Sequence, residues 1–504
     1  MMSPLIDLVQ KGRMVAEHRP WPRAVVDAAT WSRAADEVAQ RRCNLLALWG
    51  EPSAVHMAIS DKAASEIAVL SLDCPEQTYP SVGAHHPPAI RLERAINDLF
   101  GLSAEGLPDA RPWLDHGRWG MWFPLGNRVV SPPEAAPYRF LPVEGDSLHQ
   151  IPVGPVHAGI IEPGHFRFTA SGETVARLEQ RLGYTHKGIE GLMSGAALER
   201  AAQLAGRVSG DSTVAYAFAF SKAAEAALDI VVPDRAVWLR ALLSELERLA
   251  NHLGDIGAIC NDASFALMHA HCGVLREGVL RAAGEVFGHR LMRDLIVPGG
   301  VVRDLTDEHK EIIHAMLDNL RVRFPPLVEL YDNTASLQDR TFGTGVVKPA
   351  LASQYAAGGY IGRASGRAFD ARQNLAYPPY DALRFDVPVL SEGDVNARVW
   401  IRVREVEQSL ALIDQILDQL PEGPSRIPLK PRPEANEGMA MVEGFRGDIL
   451  VWLRLRGDRV ERCHLRDPSW FQWPLLEAAI EDNIVADFPL CNKSFNCSYS
   501  GQDL

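Results

Sequence analysis

The chain has 504 residues, which is too long for one hydrophobic core and indicates two or three domains. Its composition, with 47% hydrophobic and 23% charged residues, is typical of a globular protein. The net charge of −13 argues against nucleic acid as a partner and against a polybasic membrane patch. No apolar stretch approaches the roughly 20 residues that span a bilayer, and the first residues lack the pattern of a signal peptide. We therefore expect a soluble intracellular chain.

The cysteines offer no recognisable metal or disulfide pattern. There are seven, they are scattered, and none are spaced as Cys-x-x-Cys. A disulfide framework is uncommon in large cytosolic proteins, and iron–sulfur and zinc sites need closely spaced thiolates. We expect this chain to bind no such cofactor itself.

The first 125 residues predict a small α/β domain. Helical spacing covers residues 31–40, and three aliphatic runs at 45–49, 54–59 and 67–72 predict strands. Residues 86–101 predict an amphipathic helix that prolines open and Gly101 closes. Proline and glycine are then enriched over residues 126–150, a composition typical of a linker.

Residues 151–504 predict a large, mainly helical bundle domain with short β-sheets, so the expected fold class is α+β. A strand is predicted at 166–170 and a return to strand period at 439–464. Between them we expect a long helix capped by Asp234, a second over 264–291, a third ending before Pro325-Pro326, and a fourth over 402–420.

A polar stretch at residues 207–216 (RVSGDSTVAY) separates an alanine-rich segment from the long helices. By itself it predicts a helix start, with Ser209, Asp211 or Ser212 as the N-cap. A second interpretation is a polar pocket that Asp211 forms with Arg207. Both interpretations apply if the residue that caps the helix also lines a cavity.

Ordered runs along the chain carry a resemblance to known families. Residues 93–101 (ERAINDLFG) and 105–111 (EGLPDAR) resemble the 30 kDa subunit of respiratory complex I and its fused counterpart in formate hydrogenlyase. From residue 154 on, the chain resembles the 49 kDa subunit of complex I and the large subunit of group 4 membrane-bound [NiFe] hydrogenases. The matching runs are 154–167, 186–190, 247–252, 298–304, 339–345, 363–366 and 421–423.

The resemblance also shows departures at the metal ligands. Where those hydrogenases have two Cys-x-x-Cys pairs, this chain has one thiol and three hydroxyls, at Ser209, Ser212, Cys497 and Ser500. A NiFe centre needs soft thiolate ligands, so we expect no NiFe centre here. The pattern fits best the energy-converting hydrogenase-related complexes, which resemble group 4 hydrogenases but lack the NiFe ligands.

The families also suggest roles for individual residues. His157 matches a histidine that contacts quinone in complex I, whereas Gly210 stands where complex I has a quinone-binding tyrosine, and Tyr216 is a phenol nearby in sequence. Glu190 matches a proton-transferring glutamate of the hydrogenases, and a raised pKa would suit that role. The plainer alternative pairs Glu190 with Lys187 or Arg181.

These residues form the expected site. We predict His157, Glu190 and Asp211 as catalytic residues. We predict as cavity-lining residues Arg207, Ser209, Gly210, Ser212, Tyr216, Cys497 and Ser500.

The resemblance implies the large subunit of a complex I- and hydrogenase-like oxidoreductase complex, peripheral on the inner face of the cell membrane. Expected partners are an iron–sulfur small subunit, a ferredoxin-like subunit and antiporter-like membrane subunits. Electrons would pass from iron–sulfur clusters on the partners to a quinone-like or unidentified acceptor, coupled to ion translocation. Two alternatives stay open: an active hydrogenase with altered ligands, and a non-catalytic coupling scaffold.

Overall fold

A computed structural model describes residues 4–62, 66–127, 137–145, 147–155, 161–430 and 432–504. Helices and short sheets alternate in it, and the predicted α+β class is confirmed. The predicted domain boundaries near residues 125 and 150 stay predictions.

The N-terminal part is built on a five-stranded sheet flanked by helices. Its strands are β1 (Arg13–Met14), β3 (Arg23–Val25), β4 (Cys43–Glu51), β5 (Ala54–Asp61) and β6 (Ile67–Asp73), in the order β1-β3-β6-β5-β4. Strand β2 (His18–Arg19) is not part of this sheet. The helices are α1 (Pro4–Gln10), α2 (Ala28–Ala39) and α3 (Ile90–Phe100), and the short strands β7 (Thr78–Pro80) and β8 (Ser103–Glu105) pair in parallel. Gly101 ends α3 with a φ of 74°, which confirms the predicted glycine stop.

A three-stranded antiparallel sheet follows, made of β9 (Leu148–Val153), β10 (His165–Ser171) and β11 (Thr174–Arg181). Strand β10 confirms the predicted strand at 166–170. The next elements are α4 (Ile189–Met193), α5 (Leu198–Ala205), α6 (Thr213–Leu228), α7 (Asp234–Asp262), α8 (Ala266–Phe287), β12 (Ile296–Val297), β13 (Gly300–Val301) and α9 (Asp307–Asn333).

Short helices lead to the last sheet and the C-terminal tail. The helices are α10 (Ala335–Thr341), α11 (Pro349–Gln354), α12 (Gly359–Ala364), α13 (Ala371–Asn374) and the long α14 (Val395–Gln419). Strands β14 (Arg432–Gly444), β15 (Gly447–Gly457) and β16 (Arg459–Arg466) form an antiparallel sheet, and α15 (Ser469–Ala479), α16 (Phe488–Phe495) and α17 (Tyr499–Asp503) complete the chain.

Helix α6 lies at the centre of the fold because nearly all its side chains are apolar and buried. It crosses β14 at Gly438, where a Cβ atom would lie 1.8 Å from the backbone oxygen of Ala223. A glycine is therefore needed for the close approach of helix and sheet. The same strand also reaches the N-terminal end of α6, where a Cβ atom added to Gly444 would lie 3.3 Å from the Cβ atom of Ala215. That end of α6 lies in the polar stretch singled out above.

Two predicted helix ends are wrong. Asp234 is the first helical residue of α7, Pro233 holds the N-cap position, and no side-chain cap forms there. Helix α9 continues through Pro325-Pro326 to Asn333. Proline removes a hydrogen bond to the carbonyl four residues earlier, but this face of α9 is open to water, as the 74% exposure of Val322 indicates. Solvent can satisfy those carbonyl groups, so the helix continues.

The N-terminal sheet packs on the C-terminal sheet through aromatic rings and ion pairs. Strand β2 pairs in parallel with β14. Trp49 stacks on His464, with ring centroids 5.1 Å apart, and Arg454 donates to both oxygens of Glu51 at 2.7 and 2.8 Å. This interface places β16, and with it His464, against helix α4.

Candidate functional site

The turn between α5 and α6 contains the predicted polar stretch. Ser212 holds the N-cap position of α6, but no side-chain cap bond forms from it, so the predicted serine or aspartate cap is wrong. The free N–H groups of Val214 and Ala215 instead donate to the Glu247 carboxylate of α7, at 2.7 and 3.0 Å. A carboxylate from a neighbouring helix thus takes the place of a local cap.

The C-terminal tail meets this turn, as the sequence predicted. Asn496 ends α16 with a φ of 42°, and the chain then turns so that the Ser498 hydroxyl donates to the Ser209 hydroxyl at 3.1 Å. Trp473 holds the turn by donating to the Ser498 carbonyl oxygen at 3.1 Å. The Asp503 carboxylate accepts from the backbone N–H of Gly183 at 2.9 Å. The two segments that carry ligands in the hydrogenases are therefore in contact here.

An ion pair between Asp211 and Arg446 occupies the contact between these segments. Arg446 lies in the turn between β14 and β15, its side chain is 4% exposed, and both ends of its guanidinium group donate to the Asp211 carboxylate. Ser209 donates to Asp211 at 2.6 Å, and Arg446 donates to the Ser212 hydroxyl at 3.2 Å. Arg446 also donates to the Asn496 carbonyl oxygen, so one cation joins the turn to the tail.

Electrostatics keeps both partners of this pair ionised. Burial alone would raise the pKa of Asp211, but Arg446 and the hydroxyls of Ser209 and Ser212 outweigh it, and the pKa is lowered. The Asp211 carboxylate in turn raises the pKa of Arg446 against the effect of burial. Arg446 was missed at the sequence level because it lies 235 residues from Asp211.

The predicted pocket between Asp211 and Arg207 is wrong. Arg207 turns to the surface and donates twice to Asp294, at 2.8 and 2.6 Å. Gly210 is exposed, and no atom would lie within 4 Å of a Cβ added to it. Neither residue contributes a side chain to the contact between turn and tail.

Three other predicted residues are buried, and two of them, Tyr216 and Cys497, lie close enough to Arg446 for its charge to oppose in part the rise in pKa that burial causes. The Tyr216 hydroxyl donates to Asp467 at 2.6 Å, and burial together with that carboxylate raises the pKa of Tyr216, so the phenol stays protonated. Cys497 is buried, and burial raises the pKa of its thiol. Ser500 is buried at the start of α17, and its backbone N–H donates to Glu162 at 2.9 Å.

His157 lies outside the described residues, in the segment 156–160. Its predicted role stays a prediction that rests on the sequence alone.

Glu190 has a different environment from the one predicted. Neither Lys187 nor Arg181 pairs with it; Arg462 lies 2.7 Å and His464 2.8 Å from its oxygens. Burial would raise its pKa, but these two groups outweigh burial and lower the pKa to about 2. The expectation of a raised pKa is therefore wrong. Glu190 is held ionised at neutral pH and stabilises the contact between α4 and β16.

We expect the replacement Glu190→Gln to destabilise the chain by about 3 kcal/mol at pH 7, from the shift of the pKa between 4.5 and about 2. Because the folded-state pKa is lowered, this contribution is present above pH 4.5 and is lost as the pH falls toward 2. Urea unfolding should therefore show the difference from the wild type falling by about half between pH 7 and pH 3.

The matched control is Glu461→Gln, which removes the exposed partner of Arg456. An exposed ion pair contributes little, so about 0–1 kcal/mol is expected at either pH. A penalty for Glu190→Gln that does not change with pH would contradict the assignment of an ionised Glu190.

The donor groups of this site do not fit a NiFe centre. At the four ligand positions, the Ser209 and Ser212 hydroxyls are engaged with the Asp211–Arg446 pair, and the Cys497 thiol has a raised pKa. Serine hydroxyls are hard donors and stay protonated at neutral pH, whereas nickel in such a centre needs thiolates. Among the residues described, no group of three or more His, Cys, Asp or Glu side chains is arranged to hold a metal ion.

Comparison with known proteins confirms the resemblance. The family model of the 49 kDa subunit of respiratory-chain NADH dehydrogenase matches residues 263–434, and that of the 30 kDa subunit matches residues 26–132. Formate hydrogenlyase subunit 5 of Escherichia coli is 31% identical over 446 residues, which cover 86% of this chain and 78% of that protein.

Two further relatives come from different kinds of complex. The carbon monoxide-induced hydrogenase of Rhodospirillum rubrum is 32% identical over 353 residues, covering 69% of this chain and 98% of that protein. The C/D protein of NADH-quinone oxidoreductase from Bacteroides thetaiotaomicron is 27% identical over 443 residues, covering 83% of this chain and 81% of that protein.

Fold and relatives together define a large subunit of an oxidoreductase complex. The chain belongs to the family of complex I 49 kDa subunits and hydrogenase large subunits, with a domain of the 30 kDa type fused in front of it. It is a subunit of an electron-transfer complex of this kind. The Asp211–Arg446 pair lies between the two segments on which the resemblance places the metal ligands.

Proposed function

We propose that the chain is the large subunit of a membrane-associated complex in which electrons from a partner iron–sulfur subunit reduce a quinone-like carrier at the Asp211–Arg446 site. The observation that carries this proposal is the donor set. The Ser209 and Ser212 hydroxyls, the protonated Cys497 thiol and an ion pair with a buried arginine suit an organic carrier that accepts hydrogen bonds better than they suit nickel.

The chemistry of quinone reduction matches what these residues can do. Reduction places negative charge on a quinone oxygen, and a fixed guanidinium group stabilises such charge where it develops. Arg446 has this character, because Asp211 and the Asn496 carbonyl oxygen hold its side chain in one position. Asp211 neutralises the cation while no carrier is present, which lowers the free-energy cost of burying it.

The proposed partners are an iron–sulfur small subunit, a ferredoxin-like subunit and antiporter-like membrane subunits, with quinone reduction coupled to ion translocation. The names of the relatives support this, since they include a hydrogenase, a formate hydrogenlyase subunit and an NADH-quinone oxidoreductase protein. None of the described helices has both the length and the hydropathy of a bilayer span. We propose that the chain docks on the inner face of the membrane through those subunits.

The test uses the intact complex, purified from its membrane. Reduced methyl viologen serves as an artificial electron donor and a short-chain quinone as acceptor. We expect quinone reduction together with a nickel content far below one per chain. Nickel near one per chain with hydrogen evolution would replace this proposal by the hydrogenase alternative. Absence of both nickel and quinone reduction would favour the remaining alternative, a non-catalytic scaffold that couples the other subunits.

A further inference from the structure

Glu247 of α7 is a buried carboxylate that faces backbone groups and not a cation. Its two oxygens accept from the N–H groups of Val214 and Ala215. Among the residues that the structure describes, none forms an ion pair with it; the neighbouring Arg248 directs its guanidinium group to the carbonyl oxygens of Glu443 and Gly444. Burial raises the pKa of Glu247 to about 8, only partly opposed by the two N–H donors.

The charged groups around Glu247 come from each element packed against it. Asp211, in the turn before α6, raises its pKa further, and Arg248 on its own helix lowers it. Arg276 of α8 and Arg290 of the following turn line the same small cavity. Near neutral pH, Glu247 is therefore able to hold a proton and to release it.

A small cavity connects Glu247 with Asp211. Its walls come from the turn, α7, α8 and the segment after α8, and its polar lining residues are Asp211, Glu247, Asn251, Arg276 and Arg290. The space open to the centre of a water molecule is about 20 Å³, which is room for about one water and too little for a quinone ring. The Arg290 side chain is 55% exposed, so this wall reaches the surface.

Asn251 fixes the relative position of the two acidic residues. Its side-chain amide donates to the backbone oxygens of Asp211 at 2.7 Å and of Glu247 at 2.9 Å. Asn251 thus holds Glu247 next to Asp211, the residue that pairs with Arg446. Glu190, by contrast, is held ionised by Arg462 and His464 and has no proton to give at neutral pH.

We propose that Glu247 is the residue that passes protons from solvent, through this cavity, to the Asp211–Arg446 site. This inference rests on the proposed function, in which the quinone takes two electrons from the partner subunit and two protons through this chain. In each transfer the Glu247 carboxyl O–H gives its proton toward the reduced carrier, and a proton from solvent, relayed by a water in the cavity, returns to the carboxylate. Two such cycles complete the quinol.

The first test needs neither electron donor nor acceptor. Infrared spectra of the purified full chain are recorded from pH 5 to pH 10, and the carboxylic acid C=O band is followed. The wild type minus Glu247→Gln difference should contain one band that disappears with a midpoint near pH 8. In D₂O that band should shift within the mixing time, because the carboxyl group exchanges with solvent.

The matched control is Glu190→Gln, which should leave the band unchanged. A difference spectrum without this band would overturn the proposal, because Glu247 would then be ionised throughout. A band that does not shift in D₂O would also overturn it, since the group would be closed to solvent. Because Glu443, with a pKa of about 7, also contributes in this region, the band is assigned only from a difference with a Glu247 variant. If Glu247→Gln folds poorly, the difference with Glu247→Asp, which keeps the carboxyl group but moves its band, makes the same assignment.

The second test uses the intact complex. Glu247→Gln should slow quinone reduction at least tenfold and flatten its pH profile, and Glu247→Asp should restore part of the rate. Unchanged turnover in Glu247→Gln would refute the proton-transfer role while leaving the proposed function intact. If the wild-type complex reduces no quinone, the proposed function fails, and the infrared result still decides whether Glu247 exchanges protons with solvent.

Discussion

The replacement Arg363→Met should destabilise the chain by about 4–5 kcal/mol. Arg363 of α12 is fully buried between α14 and β14, and it pairs with Glu405 at 2.7 Å, Glu443 at 2.9 Å and Asp370 at 3.4 Å. Removing the cation leaves three carboxylates buried without it. The penalty is that of uncompensated buried charge, which exceeds the loss of the hydrogen bonds themselves.

The effect should depend on pH in a defined direction. Burial would raise the pKa of Glu405, but Arg363 and His252 outweigh it and hold the pKa well below its usual range. A group with a lowered folded-state pKa contributes stability above its unfolded value, and that contribution is lost as the pH falls. Burial and Asp370 raise the pKa of Glu443 to about 7, so Glu443 is already partly protonated near neutral pH. The penalty for Arg363→Met should therefore shrink in acid.

Urea unfolding of the full chain at pH 7 and pH 4 measures this prediction, because the contribution of Glu405 is lost only below its unfolded pKa of 4.5. The matched control is Arg281→Met on α8, which removes an arginine whose side chain is 79% exposed and which pairs with Glu277 four residues earlier. That change should cost about 0.5 kcal/mol or less. Similar penalties for both variants would mean that the buried network does not stabilise the fold as described.

The sequence predicted those parts of the fold that depend on neighbouring residues. The strands at 45–49 and 54–59 and the glycine stop of α3 follow from local alternation and turn chemistry, and the structure confirms them. The predicted end of α9 was wrong because the carbonyl groups that Pro325 and Pro326 leave free can be satisfied by solvent. Local sequence rules do not include this contribution of solvent.

For the site, only the contact between the turn before α6 and the C-terminal tail could be predicted. The family resemblance placed Ser209 and the tail together, and Ser498 does contact Ser209. It could not supply Arg446, because an ion pair across 235 residues leaves no local pattern in one sequence. Arg207, which the sequence analysis paired with Asp211, is directed by the fold to Asp294 instead.

The replacement Asp211→Asn should lower quinone reduction by the complex at least tenfold, if the proposed function holds. Asparagine keeps the shape of the side chain but removes the charge that holds the buried Arg446 guanidinium group in position. Loss of one partner of such a pair also costs about 3 kcal/mol of stability. Because Arg446 joins the turn to the tail, through Asp211 and the Asn496 carbonyl oxygen, its displacement should loosen both segments.

The control Asp294→Asn makes the same chemical change in a similar ion pair. Asp294 also accepts two hydrogen bonds from an arginine, but that arginine, Arg207, is 35% exposed whereas Arg446 is 4% exposed, and the pair lies outside the contact between turn and tail. Solvent can replace what this pair loses, so stability should change by less than about 1 kcal/mol and turnover should not change. Hydrogen exchange at residues 496–504 adds a structural measurement, which should rise in Asp211→Asn only. Equal turnover in the two variants would mean that the Asp211–Arg446 pair takes no part in the reaction, and the function would then have to be sought elsewhere in the chain.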